Sequence, residues 1–268
     1  MRTPTDPSAA RELSALLVIA QRDLTKLLRD RTRLGVSLAF PILLIVGLGS
    51  NLQALVGGVT GLDVVALMFT GVLAATLFQS AAAGMMSLIE DRENDFSKEL
   101  FVAPISRVTI VAGKVLGESL VALTQGIGVV VFALLFGIRM SPGQIAMLLP
   151  PAVGCCLLGA AFGLATLAAL PNQRAALQVF PFLILPQYFL AGVVAPLHGL
   201  PRYLDLVSWI MPLRYPVDLT RAAFYAGTPA YRVVVTVSPL LDALVMGALF
   251  VVLLVLGAML FEHRERSR

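Results

Sequence analysis

Residues 64–89 read VVALMFTGVLAATLFQSAAAGMMSLI, 26 positions without one Asp, Glu, Lys or Arg. A helix needs roughly 20 apolar residues to cross the hydrocarbon core of a bilayer. This run is long enough to span and has no charge to hold in water. Five other long, almost uncharged runs stand beside it, and together they predict spans near 34–56, 64–89, 108–137, 144–170, 175–195 and 239–261. Ser141-Pro142 suits an N-cap followed by Pro at the first helical position, opening the fourth span. Pro171-Asn172-Gln173-Arg174 breaks the fourth span from the fifth. Pro41 is expected to kink the first span, and Pro181 and Pro186 the fifth. The fold class is an all-α polytopic membrane protein.

Composition agrees. The 268 residues are 58% hydrophobic and 13% charged, and the mean hydropathy is +0.87. An average soluble domain carries roughly 25% charged residues, so too little polar surface exists here to face water all round. A net charge of +4 raises nucleic acid as a partner. It is rejected because the cations sit mostly at the ends of apolar runs, where membrane proteins place them. Cys155 and Cys156 are adjacent inside an apolar run, which suits packing rather than a disulfide or a metal site. The first apolar run follows a long charged segment and lacks a cleavage site, so a cytoplasmic N-terminus is expected.

Outward from the spans, residues 1–10 are polar and read as a disordered tail. From 11 to 33 the pattern is amphipathic. Leu13, Leu16, Leu17, Ala20, Leu24, Leu27 and Leu28 share one helical face, with Arg22, Lys26, Arg29 and Arg33 opposite. Such a helix lies in the membrane interface or packs on a partner protein. Lys and Arg are dense in this segment, in and beside the 90–107 loop, and at the C-terminus, and absent from the loop near 57–63. That asymmetry places both termini and the 90–107 loop in the cytoplasm. Arg202, Arg214, Arg221 and Arg232 then lie outside, against the rule.

Catalytic and coupling motifs are missing. The sequence contains no G-x-x-x-x-G-K-[ST] loop, no H-E-x-x-H and no G-x-S-x-G, so phosphate binding, zinc hydrolysis and serine chemistry lack their frameworks. Glu118 lies inside the third span with Lys114 four residues before it, at pairing distance on a helix. One paired acid gives a proton relay little to run on. No cofactor or metal is expected on this chain.

Two segments do not fit plain connectors. The loop 90–107 concentrates charge of both signs and then presents Leu100-Phe101-Val102. It reads as a short amphipathic helix for a partner's groove, or as a connector tucked onto the bilayer. The segment 199–226 is too polar and proline-rich to span and holds the only Trp, Trp209. It reads as two short helices that dip into the outer leaflet and return, or as a loop lying flat. Arg214, Asp218 and Arg221 fall at i, i+4 and i+7, which allows an Arg-Asp-Arg ladder on one face.

These residues carry a resemblance. L-P-x-x-L-x-x-V-S-W-I-M-P-L-R-Y-P-V-D-L-T-R-A-A, from Leu200 to Ala223, with the amphipathic N-terminal helix, Pro41 and the 90–107 loop in order, resembles the membrane subunits of ABC-2 type transporters. The loop is similar to that family's E-R-E-x-G-T-x-x-x-L-x-x-x-P-x-S at Arg92, Glu93, Leu100, Pro104 and Ser106, and departs at Asp95-Phe96. The resemblance implies two facing permease subunits above two copies of an ATPase, which would hold the ATP and Mg. It implies an ATPase-coupling role for Arg92, Glu93, Phe96, Leu100, Phe101 and Pro104. It implies an outer gate at Leu200, Pro201, Trp209, Pro212, Arg214, Asp218 and Arg221. Pathway lining would come mainly from the first, second and fifth spans, and Met68, Phe69, Phe78, Phe182, Tyr188 and Phe189 are soft apolar candidates. The expected cargo is an amphiphilic drug or lipid moved outward across the plasma (inner) membrane. Alternatives are a polysaccharide-exporting permease and a membrane scaffold without transport. GxxxG at Gly113/Gly117 and Gly159/Gly163 permits close helix packing, and homodimer and heterodimer both stay open.

Overall fold

The computed structural model describes residues 7–58, 61–93, 106–167, 170–197 and 201–266, and every regular element among them is helical. The chain runs α1 (Pro7–Arg29), α2 (Arg31–Leu43), a π-helical turn (Leu44–Gly49), α3 (Ser50–Leu52), a second π turn (Gln53–Gly57) and α4 (Val64–Gly84). It continues through α5 (Ser87–Glu93), α6 (Arg107–Leu135), α7 (Pro142–Leu167), α8 (Gln173–Leu190), α9 (Arg202–Ile210), α10 (Arg214–Phe224), α11 (Tyr231–Val234) and α12 (Pro239–Arg266). Among the described residues, five helical stretches are long and apolar enough to cross a membrane: Leu34–Gly57, Val64–Glu90, Val108–Leu135, Pro142–Leu167 and Tyr231–Leu260. The segment expected at 175–195 is α8, which has 18 residues. Gln173, Arg174, Gln178 and Gln187 with two internal prolines make it more polar than those five.

Local chemistry sets the boundaries. Asp63 accepts from the Ala66 amide at 3.0 Å and starts α4. Ser141 and Gln144 form a reciprocal capping box at the start of α7, with Gln144 Nε2 also donating to the Phe224 carbonyl. Asn172 accepts from Ala175 at 2.8 Å and restarts the chain as α8. Two expectations are corrected here. Helix begins at Pro7 rather than after residue 10, because Pro suits a first helical turn. The N-terminal helix ends at Arg29 rather than 33, and Arg31–Arg33 belong to the start of α2. The wider turns that follow Pro41 keep the first span helical through to Gly57.

The core is α4. Seventeen of its 21 residues are buried, and α6, α7 and α10 pack around it. Contact with α7 is close because Gly159 and Gly163 face the α4 backbone. A Cβ at either would stand 2.3 Å from the carbonyl oxygen of Phe78 or Ala82. Gly113 and Gly117 serve α1 instead, where a Cβ would meet Ile19 at 3.1 Å and Ala20 at 3.0 Å. Both GxxxG pairs therefore close helix contacts within this chain.

Candidate functional site

Two polar clusters interrupt this apolar bundle, one at each end. The first joins α1 to α6. The two helices run side by side in the same direction, with Glu12 at Ser106, Ile19 at Gly113 and Asp23 at Lys114. Ala20, Asp23 and Leu27 fall at i, i+3 and i+7 and are buried, whereas Leu13, Leu17 and Leu28 of the same expected face are exposed. Lys114 is 2% exposed, and its Nζ lies 3.2 Å from Asp23 Oδ2. That Nζ also donates to Ser87 Oγ at 3.0 Å, and Ser87 donates to Glu118 Oε1 at 3.3 Å. Ser106 donates its amide to Glu12 at 2.9 Å and its hydroxyl at 3.2 Å. Hydrogen bonds from Thr109 and then Ser106 hold the Glu12 carboxyl below the usual carboxylate range. The cluster thus ties down both flanks of the 94–105 loop: α5 before it through Ser87, and α6 after it through Ser106.

Sequence spacing paired Lys114 with Glu118 and missed Asp23. The available signal was Asp23 itself, an acid on the face of Ala20 and Leu27. A charge on an apolar face calls for a buried partner.

The second cluster is α9–α10 at the opposite end. The expected Arg-Asp-Arg ladder does not form. Arg214, Asp218 and Arg221 are 4%, 3% and 2% exposed, and each turns to a different partner. The Arg214 guanidinium bonds Ser208, lies 3.5 Å from Asp205 and covers the Trp209 ring at 3.9 Å. Asp218 accepts from the Thr236 amide and hydroxyl at 3.0 Å and from the Val237 amide at 2.7 Å, so it fixes the chain leading into α12. Arg221 bonds the carbonyl of Gly192, just past α8. Burial pulls its guanidinium down to about 10, while Asp218 beside it opposes that shift. Gly192 has φ 79°, a left-handed turn that suits glycine. Gln187 is 2% exposed and accepts from the Leu213 amide at 3.2 Å. These contacts lock α8, α10 and α12 into one block. Arg214 and Arg221, two of the four cations expected outside against the charge rule, face protein rather than solvent. A cavity of about 730 Å³ opens beside the block, lined by Asp63, Arg139, Gln144, Phe224 and Tyr225 among others.

The other sequence-derived positions divide. Met68, Phe69 and Phe78 are 0% exposed, inside the chain on α4 rather than on a free face. Phe69 packs edge-on against Phe224 at 5.7 Å, and Phe78 meets Phe162 at 5.2 Å. On α8, Tyr188 is buried and donates to Gln79 at 2.7 Å, while Phe182 and Phe189 are 80% and 66% exposed. Pro201 precedes α9, Pro212 lies in the turn between α9 and α10, and Trp209 is partly exposed. Arg92 and Glu93 end α5, their side chains outside the description. Phe96, Leu100, Phe101, Pro104 and Leu200 lie outside the described residues.

Comparison with known proteins places this architecture. A transport permease, ycf38, of Cyanophora paradoxa is 26% identical over 213 residues, 78% of this chain and 73% of its own length. Nodulation protein J of Rhizobium leguminosarum bv. viciae is 26% identical over 192 residues, covering 69% of this chain and 72% of its own. A multidrug ABC transporter permease, YbhR, of Escherichia coli is 26% identical over 144 residues, 52% of this chain and 38% of its own. The family model for the ABC-2 type transporter matches residues 14–225, from the helix that carries Asp23 to the end of the α9–α10 block. With that match over most of its length and a bundle of long apolar helices, the chain belongs to the ABC-2 type transporter family, as a membrane subunit for transport.

Proposed function

We propose that the chain is the membrane half of an ATP-driven exporter in the plasma (inner) membrane. Both termini face the cytoplasm. Two copies of a separate ATPase hold the ATP and Mg and dock on the 90–107 loop. A second permease subunit completes the path, which carries an amphiphilic drug or lipid-like molecule outward.

The observation that best supports this reading is the match to the ABC-2 type transporter family over residues 14–225, and an exposed apolar face on α2 and α8 is the surface proposed for the second subunit. Phe40 of α2 meets Tyr188 of α8 edge-on at 6.0 Å. Around that contact Val36, Leu43, Phe182, Leu185 and Phe189 are all more than half exposed. Apolar side chains on such a face suit lipid tails and a second subunit alike; we put the subunit contact here because the family resemblance assigns the pathway to the first, second and fifth spans. The tied flanks of the 94–105 loop support the coupling half of the reading, because a push on that loop reaches α1, α5 and α6 together. The multidrug name of one relative agrees with the cargo class.

The test is reconstitution of the chain with its ATPase in phospholipid vesicles. ATP is expected to drive movement of a fluorescent amphiphile across the membrane, and the permease is expected to raise ATP hydrolysis severalfold. Stable assembly with no ATP-dependent movement of any amphiphile would leave a scaffold instead.

A further inference from the structure

A cavity of about 410 Å³ opens at the end of the bundle that holds the α1–α6 cluster, the cytoplasmic end on the proposed topology. It lies between α1, the α4–α5 junction, α6 and α8, and its walls differ in chemistry. Asp23, Glu90 and Glu118 line it, and Lys26, which is exposed, is the one cation among its lining residues. Lys114 and Arg22 stand behind the wall, both against Asp23. With those two cations assigned to Asp23, Glu90 and Glu118 still outnumber Lys26. Asp23 is 6% exposed, and its Oδ2 takes no hydrogen bond. Lys114 Nζ lies 3.2 Å from that oxygen but directs hydrogen bonds to Oδ1 and to Ser87. An acceptor buried so deeply ordinarily finds a donor, and a ligand in the cavity can supply one. Glu118 is held to its place against α4 by Gly84, where a Cβ would collide with Oε2. The rest of the wall is apolar, with Leu27 on α1 and Leu177 and Phe180 on α8. Past them Phe182, Leu185 and Phe189 continue along α8 as exposed apolar side chains.

We propose that this cavity receives the cationic head of an amphiphile arriving from the cytoplasmic leaflet, an alkylamine or a quaternary ammonium compound, with its tail laid along α8. A cleft lined mainly by one sign of charge concentrates ions of the other sign, and a few polar groups in an apolar pocket fix a ligand's orientation. An anionic head would meet an excess of its own sign. The site narrows the cargo of the exporter reading to cations, and rests on that reading for the direction of movement.

The probe is a dansyl-tagged alkyl chain with a trimethylammonium head, compared with the same chain bearing a sulfonate or an alcohol. The full chain in phosphatidylcholine nanodiscs is titrated without ATP, and empty nanodiscs give the lipid background. The cation is expected to bind about tenfold more tightly than either of the others, the scale of one hydrogen bond to a charged group. Glu118→Gln keeps the shape and an acceptor for Ser87, and is expected to weaken the cation about tenfold while leaving the alcohol unchanged. A merely structural role would lower all three heads alike. Glu90→Gln, at an exposed position, should weaken the cation about threefold, as for a solvent-screened charge. Equal affinity for the three heads overturns the site, and so does a Glu118→Gln protein that keeps the parent's preference for the cation. If Glu118→Gln does not fold, Glu90→Gln decides alone, and an unchanged cation affinity there overturns the site. ATP-driven movement of the same cation across vesicles reports the exporter reading separately, since selective binding without movement keeps the site and removes the exporter.

Discussion

Lys114→Ala is expected to lower the stability of the folded subunit by about 3 kcal/mol, the lower part of the range for breaking a buried ion pair. The loss comes less from the missing attraction than from what remains. Asp23 is 6% exposed, and without the ammonium it keeps a buried charge. Arg22 stands 3.3 Å from Asp23 Oδ1 and is partly exposed, so it compensates in part. Ser87 and Glu118 lose a donor and a neighbouring cation in the same step. The check is the apparent melting temperature in detergent. The double change Lys114→Met with Asp23→Leu should recover most of the loss, since a well-packed apolar pair replaces a buried ion pair at little cost. A single mutant as stable as the parent would show that the α1–α6 contact does not depend on this pair.

The second large effect is expected at the α4–α7 contact. Gly159→Val and Gly163→Val each put a side chain where the nearest atoms are backbone, with Cβ 2.3 Å from a carbonyl oxygen and under 3 Å from a Cα. No rotamer change relieves that clash, so the helices must separate. Overpacking of this kind costs about 1–3 kcal/mol per site, and occasionally more. The double mutant should fail to yield a monodisperse subunit on size exclusion. Gly247→Ala serves as control, because a Cβ there meets nothing within 4 Å, and it should behave as the parent does.

These effects mark where the sequence was legible. Residues 64–89 declare a spanning helix by length and absence of charge, Ser141-Pro142 declares a helix start through its cap, and Pro171–Arg174 declares the break before α8. What lies inside the bundle is harder to read. In water an apolar stripe points at the core, but lipid is as apolar as leucine, so an apolar side chain serves equally well on a lipid face or in the interior. Phe69 and Phe182 look alike in the sequence, yet one is 0% and the other 80% exposed. Polar residues carried the recoverable information. Asp23 on an apolar face was the unused signal for the α1–α6 contact, and Arg214, Asp218 and Arg221 set apart a segment that read as re-entrant or as lying flat and whose three charged residues the structure buries. Their partners, Gly192, Thr236 and Ser208, come from other elements and follow no local spacing.

The central claim is that a separate ATPase drives this subunit through the 90–107 loop. On this proposal Leu100 and Phe101 serve as the apolar anchors of that segment and Lys98 as a rim charge. Interface anchors carry most of the binding energy and rim charges little, so Phe101→Ala should cost more than about 2 kcal/mol of association and Lys98→Ala less than about 1. The most direct measurement is co-purification of the ATPase with the Leu100→Ala/Phe101→Ala double mutant, together with ATP hydrolysis and export by whatever complex forms. The account predicts a normally folded permease that no longer retains the ATPase or stimulates hydrolysis. Unchanged assembly, hydrolysis and export in the double mutant would contradict it.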